Sequence, residues 1–180
     1  MTYRRVLFEY GLDHYGFVTP QQAADLGVPN IELAKLARRG WLTNISYGLY
    51  RVNDVPVPPN AEYAEAVLRV GEGAFLTHDA VLALHELALV NPARIRVGVD
   101  RRVRRSLPDW IELVPRPAPE ALTTYEGIPS TTVGQALRDC IGMVPRDRLL
   151  DALEDARRRG LVRRRDVPAL AAAIEGSENP

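Results

Sequence analysis

The sequence predicts an α+β chain, with an N-terminal winged helix-turn-helix followed by a small α/β C-terminal domain. Two short helical segments flank the turn at residues 27–29, and a stretch with hairpin character follows them directly. A proline-rich segment then interrupts the pattern at residues 54–60. Beyond that segment, helical periodicity gives way to strict alternation of apolar residues, as in an α/β domain.

The proline-rich segment sets the predicted domain boundary. We expect the winged helix-turn-helix over residues 1–54, a linker over 55–59, the α/β domain over 60–175 and a tail over 176–180. A chain of 180 residues is long enough for two domains of these sizes.

Two helices open the predicted N-terminal motif. The first is expected over residues 2–14, where apolar side chains recur at helical spacing. The second begins after Thr19, a suitable N-cap, with Pro20 in its first position and Gly27 after its last turn. Both would pack behind the helix that follows.

The third helix is expected over residues 31–39, with Asn30 as its N-cap and Gly40 beyond its end. Three of its apolar residues share one face and would be buried: Leu33, Leu36 and Ala37. Its charged residues would point outward: Glu32, Lys35, Arg38 and Arg39. Because this helix of a winged helix-turn-helix enters the major groove, we interpret it as a recognition helix.

A β-hairpin, the wing, is expected next. Residues 41–45 and 49–52 are rich in β-branched and aromatic residues, and residues 46–48 between them have turn chemistry. We expect Trp41 and Tyr50 to form the core of this hairpin rather than to stack on bases.

The second domain alternates helices with short strands. The predicted helices cover residues 61–70, a stretch after Thr77, and residues 132–140, 146–159 and 166–173. The predicted strands cover residues 94–100 and 111–114, with short extended pieces beside a turn at Glu126 and Gly127. In the helix from Thr132, the residue three positions on is Gln135, which indicates a capping box.

Composition excludes several classes of protein. Hydrophobic residues make up 46% and charged residues 26% of the chain, as in ordinary folded domains. No apolar run approaches the roughly 20 residues that cross a bilayer, and the N-terminal segment, which contains Glu9 and Asp13, lacks the apolar core of a signal peptide. We therefore expect a cytoplasmic protein with no membrane partner.

The sequence predicts no metal and no cofactor. A single cysteine, Cys140, excludes a disulfide framework and a cysteine-based zinc site, and we expect it in the core. The three histidines lack nearby carboxylates at metal-ligand spacing, and we expect structural roles for them: His14, His78 and His85.

An enzyme is the less favoured alternative. A restriction-type nuclease needs clustered carboxylates, usually with a lysine beside the scissile phosphate. Carboxylates near the predicted strands are available at Asp100, Asp109 and Glu112, but the only lysine in the chain, Lys35, lies in the recognition helix. We therefore expect no catalytic residues.

Charge restricts any nucleic-acid contact to local surfaces. The chain carries 23 basic and 23 acidic residues, so it cannot coat a polyanion by bulk charge. Arginine clusters in two segments of the second domain: Arg101, Arg102, Arg104 and Arg105, and then Arg157, Arg158, Arg159, Arg163, Arg164 and Arg165. Two interpretations stay open for each, a solvated loop or helix end and a secondary contact surface for DNA phosphate or an acidic partner.

The residues also carry a family resemblance. Residues 16–52 read GFVTPQQAADLGVPNIELAKLARRGWLTNISYGLYRV, which resembles the winged helix-turn-helix of AbiEi-family antitoxins of type IV, AbiE-like toxin-antitoxin systems. Three later pieces resemble the α/β domain that follows in that family: LTHDAVLALHEL, IRVGVDRRVRR and EGIPSTTVGQALRDC.

The resemblance implies an antitoxin that binds inverted repeats in its own promoter, represses the operon and counteracts a nucleotidyltransferase-like toxin. Carried over by position, the basic residues that contact DNA in such repressors are Lys35, Arg38, Arg39 and Arg51. The chain differs from the family pattern at Ala34, where a second basic residue is common, and in its uncharged wing turn. Two copies on one inverted repeat are expected, because a single winged domain reads too few base pairs for a unique site.

The predicted contacts fall into two groups. Base edges would be contacted by Asn30, Ile31, Glu32, Ala34 and Lys35. Phosphates would be contacted by Arg38, Arg39 and Arg51 and by the hydroxyls of Thr43, Ser46 and Tyr47. Two alternatives stay open, a winged helix that contacts protein rather than DNA, and a transcription regulator without a toxin partner.

Overall fold

The computed structural model describes residues 2–118 and 122–177. Contacts between Cα atoms divide the chain into two compact units, Met1–Arg69 and Val70–Pro180. Helices in the first unit accompany a three-stranded sheet, and helices in the second accompany a five-stranded sheet. The predicted α+β class is therefore confirmed, whereas the predicted linker at residues 55–59 stays a prediction. Of the predicted tail, residues 178–180 lie outside the described residues.

The first unit follows the predicted order of helices and hairpin. Its elements are α1 (Tyr3–Leu12), β1 (Phe17–Val18), α2 (Pro20–Asp25), α3 (Asn30–Arg38), β2 (Leu42–Ser46) and β3 (Leu49–Val52), and α4 (Ala61–Val70) follows them. The three strands pair in the order β1-β3-β2, and both pairs are antiparallel. The short strand β1 thus joins the wing to the segment between α1 and α2.

Local signals set both helices of the helix-turn-helix. Thr19 caps α2 in a full capping box, in which its Oγ1 accepts from the Gln22 amide and its own amide donates to Gln22 Oε1 at 2.9 Å. The sequence predicted Asn30 as the N-cap of α3, and this prediction is wrong. Pro29 takes that place with an extended backbone, which leaves Asn30 to become the first helical residue.

The core of the first unit lies between α1, α2, α3 and the small sheet. Its buried members are Leu7, Val18, Ala23, Val28, Leu33, Leu36, Leu42, Val52 and Val55. Leu33 and Leu36 come from the predicted inner face of α3, and Ala37 packs against them from its half-buried position. Burial of this face fixes which side of α3 is left to solvent.

The second unit is a mixed sheet with helices. Its elements are β4 (Phe75–Leu76), α5 (Asp79–Leu84), β5 (Ile95–Val99), β6 (Ile111–Pro115), β7 (Leu122–Tyr125), β8 (Ile128–Thr131), α6 (Val133–Asp139), α7 (Arg146–Arg158) and α8 (Val167–Glu175), with a 3-10 turn at Arg164–Asp166. The strand order is β6-β5-β4-β8-β7. The pairs β5/β6 and β4/β8 are parallel, and the others are antiparallel.

Ion pairs connect this sheet to α5 and α6. Arg96 on β5 pairs with Asp79 at 2.6 Å, and Arg116 pairs with Asp139 at 2.7 Å. Thr132 caps α6 as predicted, because its Oγ1 accepts from the Gln135 amide. The Gln135 side chain donates to Asp139 instead of accepting from the Thr132 amide, so the capping box is only half formed. Cys140 is buried as expected, and desolvation raises the pKa of its thiol to about 12.

The stability of the second unit is expected to decrease as pH falls below neutrality, because of His85. This side chain is only 5% exposed, its Nδ1 bonds no described residue, and its ring packs against Tyr125. Burial and the nearby Arg159 guanidinium lower the pKa of His85 below its usual value near 6.5. The unfolded chain therefore takes up the proton first. Between the lowered pKa and about 6.5, the free energy of unfolding should rise with pH.

Urea denaturation at several pH values from neutral to about 5 measures this dependence. A His85→Gln variant should show a shallower decrease than the unaltered chain, because its side chain does not titrate. His78, whose pKa burial also lowers, accounts for the remaining slope and can be tested as His78→Gln. Identical slopes in all three proteins would contradict the assignment.

Candidate nucleic-acid interface

The outer side of α3 is open to solvent. Asn30, Ile31 and Lys35 are exposed, and Ile31, an apolar residue, is 62% exposed. Glu32 and Ala34 are half-buried on the same side. All five residues predicted to contact base edges thus lie on this helix, and an exposed aliphatic group there can contact a thymine methyl.

The positive charges on α3 differ in their surroundings. Lys35 Nζ lies 2.7 Å from Glu32 Oε1, so its charge is compensated locally. Arg38 and Arg39 are exposed at the end of the helix, and their guanidinium groups form no hydrogen bond or ion pair with any residue in the described ranges. The two arginines are therefore available to an anion, whereas Lys35 must first leave Glu32.

The wing lies beside the end of α3. Tyr47 is at its tip, 89% exposed, and Gly48 completes the turn with φ at +70°, a conformation that favours glycine. Trp41 and Tyr50 pack against the core, as predicted, and the Arg4 guanidinium lies 3.0 Å above the centre of the Trp41 ring. Tyr47 is the residue of the wing most accessible to a ligand.

Asn53 connects the wing to the end of α3, a role that the sequence analysis missed. Its Nδ2 donates to the Gly40 carbonyl at 2.8 Å, and its Oδ1 accepts from Thr43 Oγ1 at 2.9 Å. The Asn53 amide also donates to the Trp41 carbonyl. One side chain thereby links the turn after α3 to β2, and the Thr43 hydroxyl is already engaged.

An Asn53→Ala variant is expected to lose about 1 to 2 kcal/mol of stability, because two side-chain hydrogen bonds disappear and the Gly40 carbonyl loses a partner. Urea denaturation measures the change. Thr43→Val removes only one of the two bonds and serves as the matched control, with a loss of about half that size. Equal losses in the two variants would show that the bond to Gly40 contributes nothing.

Two residues predicted to contact phosphate face the protein instead. Ser46 Oγ is buried and bonds no described residue. The Arg51 guanidinium donates to the carbonyls of Tyr15, at 3.4 Å, and Val55, at 2.9 Å. In this structure Arg51 links the segment before β1 to the segment after β3, so its geometry favours a structural role.

The four arginines of the first cluster in the second unit differ in their surroundings. Arg101 donates to the carbonyls of Val70 and Glu72, each at 3.1 Å. Arg105 lies close to the same turn, near Gly71. Arg102 and Arg104 are exposed and have no bonding partner in the part of the chain that the structure describes.

The second arginine cluster is mostly paired within its own helix. Arg157 donates twice to Glu154, Arg158 pairs with Asp155, and Arg159 donates to the His85 carbonyl at 2.7 Å. Arg165 lies 3.8 Å from Asp166, whereas Arg163 and Arg164 are exposed without a described partner. This geometry favours the helix-end interpretation for residues 157–159.

Residues 2–118 and 122–177 contain neither a cluster that could hold a metal ion nor a helix that could span a membrane. No group of three or more His, Cys, Asp and Glu side chains there is placed to hold a metal ion. Glu112, one of the carboxylates considered for a nuclease, pairs with Arg96 at 3.4 Å. None of the helices described is both long and apolar enough to cross a membrane.

Part of the first unit matches a known protein family. Residues 5–53, which span α1 to the end of β3, match a family model described as a transcriptional regulator, AbiEi antitoxin. No curated protein matches the chain. The crystal structure of the RV2827C protein from Mycobacterium tuberculosis is similar over 99% of this chain and 73% of that chain, with 17% identity and a TM-score of 0.50. At this identity the similarity concerns the fold alone. The match over residues 5–53 confirms the resemblance inferred from the sequence for this segment, and it supports a DNA-binding regulator.

Proposed function

We propose that this protein represses its own operon by binding inverted repeats in its promoter through α3 and the wing. One observation carries the proposal. Within the segment that matches AbiEi regulators, the helix expected to enter the major groove presents an open outer side and ends in two uncompensated arginines. Two copies would occupy one inverted repeat, each reading a half-site.

The proposed contacts follow the exposure of the side chains. Base edges are contacted by Asn30, Ile31, Glu32, Ala34 and Lys35, with Lys35 exchanging Glu32 for an acceptor on a base. Phosphates are contacted by Arg38, Arg39 and Tyr47. Thr43 contacts phosphate as well, with its hydroxyl exchanging Asn53 Oδ1 for a phosphate oxygen. The proposed interface excludes Ser46 and Arg51, because the Ser46 hydroxyl is buried and the Arg51 guanidinium is held by two carbonyls.

The antitoxin role is the second part of the proposal. We propose that the protein counteracts a nucleotidyltransferase-like toxin in the cytoplasm, and the family description, which joins regulator and antitoxin, supports this. Co-expression with the product of the adjacent gene tests it. Growth arrest by that product alone, relieved when this chain is present, is the expected result. If the product of the adjacent gene does not arrest growth, the alternative of a regulator without a toxin partner is favoured.

A gel-shift experiment with DNA from upstream of the gene tests the repressor role. At about 50 mM salt, where phosphate contacts are strongest, we expect a retarded complex that weakens steeply as salt increases. Scrambling one half of the inverted repeat should reduce binding far more than scrambling the spacer. Absence of a complex at this salt concentration would favour a second candidate function, a winged helix that contacts protein rather than DNA. The Lys35–Glu32 ion pair also favours this candidate, because it lowers the positive charge of α3.

A further inference from the structure

A cleft lies at the carboxyl ends of β5 and β6 in the second unit. The two strands are parallel and in register, so Val99 and Pro115 are neighbours where the chain leaves the sheet. Ligands of open α/β sheets bind at this end of parallel strands, where the connecting loops diverge. The cleft has a volume of about 600 Å³, within the range of known ligand sites.

The rim of this cleft is positively charged. The loop of residues 100–105 follows β5 and contains four arginines and one aspartate, which gives a formal charge of +3. Arg101 is held by two carbonyls, as described above. Arg102 lines the cleft, and Arg104 lies two residues farther along the same loop. Both side chains are exposed and lack a bonding partner among the residues the structure covers, so both guanidinium groups are available.

The floor of the cleft is aliphatic. Its described apolar lining consists of Val99, Val103, Leu113, Pro115 and Pro117. Two further charged residues line the cleft: Asp100, and Arg116, whose charge Asp139 compensates. None of the described lining residues is aromatic, asparagine or glutamine. The cleft thus lacks the stacking platforms that hold single-stranded nucleic acid and the amides that read base edges.

We propose that this cleft docks an extended acidic segment of a partner protein. An aliphatic side chain of that segment lies on the floor, and its carboxylates bind Arg102 and Arg104, whose planar guanidinium groups bind carboxylates through paired hydrogen bonds. Charge complementarity selects an acidic partner, and the aliphatic floor selects a peptide over a sugar-phosphate backbone. The surface consists of residues of the second unit only, and the proposal does not depend on DNA binding by α3.

The test measures fluorescence anisotropy with the full chain and three labelled probes. The first is a peptide of about twelve residues that repeats Glu-Leu-Glu-Ser, the second has glutamine in place of glutamate, and the third is an oligothymidine of about twelve nucleotides. We expect the acidic peptide to bind, and the glutamine peptide to bind roughly tenfold or more weakly.

Variants then locate the binding site. Arg102→Glu/Arg104→Glu should weaken binding of the acidic peptide by roughly tenfold or more. The matched control, Arg94→Glu/Arg148→Glu, changes the net charge equally at two exposed arginines outside the cleft lining and should leave the affinity within about twofold. Val103→Asp, in the loop, should abolish peptide binding with an unchanged circular dichroism spectrum, because it places a carboxylate on the floor.

Three results would overturn the proposal. One is that the unaltered chain fails to bind the acidic peptide. Another is that the Arg102→Glu/Arg104→Glu variant binds it as tightly as the unaltered chain. The last is that oligothymidine binds more tightly than the peptide and is lost in that variant, which would make the cleft a nucleic-acid surface. Operator binding in the gel-shift experiment is a separate readout, so failure here leaves the repressor role intact.

Discussion

Replacing Arg38 and Arg39 with glutamate is expected to weaken binding to the promoter DNA by roughly a hundredfold or more. The two arginines are the exposed cations at the end of α3 that no described residue compensates. Charge reversal removes two phosphate contacts and adds repulsion, and a hundredfold corresponds to about 2.8 kcal/mol. Equilibrium gel shifts at a fixed salt concentration measure the loss.

The salt dependence distinguishes lost contacts from a damaged fold. The neutral variant Arg38→Gln/Arg39→Gln should lose roughly tenfold in affinity, and its log-log salt slope should decrease by about two for each bound copy, one unit for each phosphate contact. Arg94→Glu/Arg148→Glu is the matched control for the change in net charge, and it should bind DNA nearly as well as the unaltered chain. A salt slope that stays the same in the neutral variant would remove both arginines from the interface.

Much of the first unit could be predicted because its signals are local. The capping box at Thr19 involves residues three apart, and the hairpin turn at Gly48 is a property of adjacent residues. The buried face of α3 follows from the spacing of Leu33 and Leu36, which also determines the side left open. The prediction of α3 and of its exposed side therefore needed no information about distant parts of the chain.

The short strands depend on pairings that a local pattern cannot express. A strand of two residues has no period, and β1 exists because Phe17 pairs with Arg51, far along the chain. In the same way β4 is held between β5 and β8, with Leu76 opposite Ser130. The neighbouring strand β5 could be predicted because apolar and other residues alternate over its whole length.

The inward orientation of Arg51 and Ser46 likewise depends on contacts with distant segments, which a local sequence pattern cannot reveal. Alternation along a strand assigns side chains to two faces, but it does not reveal which face another segment covers. Arg51 was assigned to phosphate by its place in the wing, whereas its guanidinium is held by the carbonyls of Tyr15 and Val55. Asn53 was missed because its partners, Gly40 and Thr43, lie ten or more residues away. The exposed face of α3, by contrast, could be predicted from the sequence, because no distant strand is needed to define it.

Replacing Gly98 with alanine is expected to destabilise the second unit by about 3 kcal/mol. Gly98 on β5 lies directly opposite Phe75 on β4, and a methyl group there would overlap Cε2 and Cζ of the Phe75 ring. Phe75 is fully buried, so its ring has no space in which to move aside. Urea denaturation of the single variant measures the cost.

Two further variants separate steric overlap from the general effect of losing a glycine. Gly134→Ala, on α6, has only an ordinary contact of 3.6 Å with Leu170 and should stabilise the helix by about 0.5 to 1 kcal/mol. In a Phe75→Leu background, which removes the edge of the ring, Gly98→Ala should cost no more than about 1 kcal/mol. The difference between the two backgrounds is the coupling between residues 75 and 98. If Gly98→Ala costs the same in both, β5 does not lie against Phe75, and the register of β4 against β5 would be wrong.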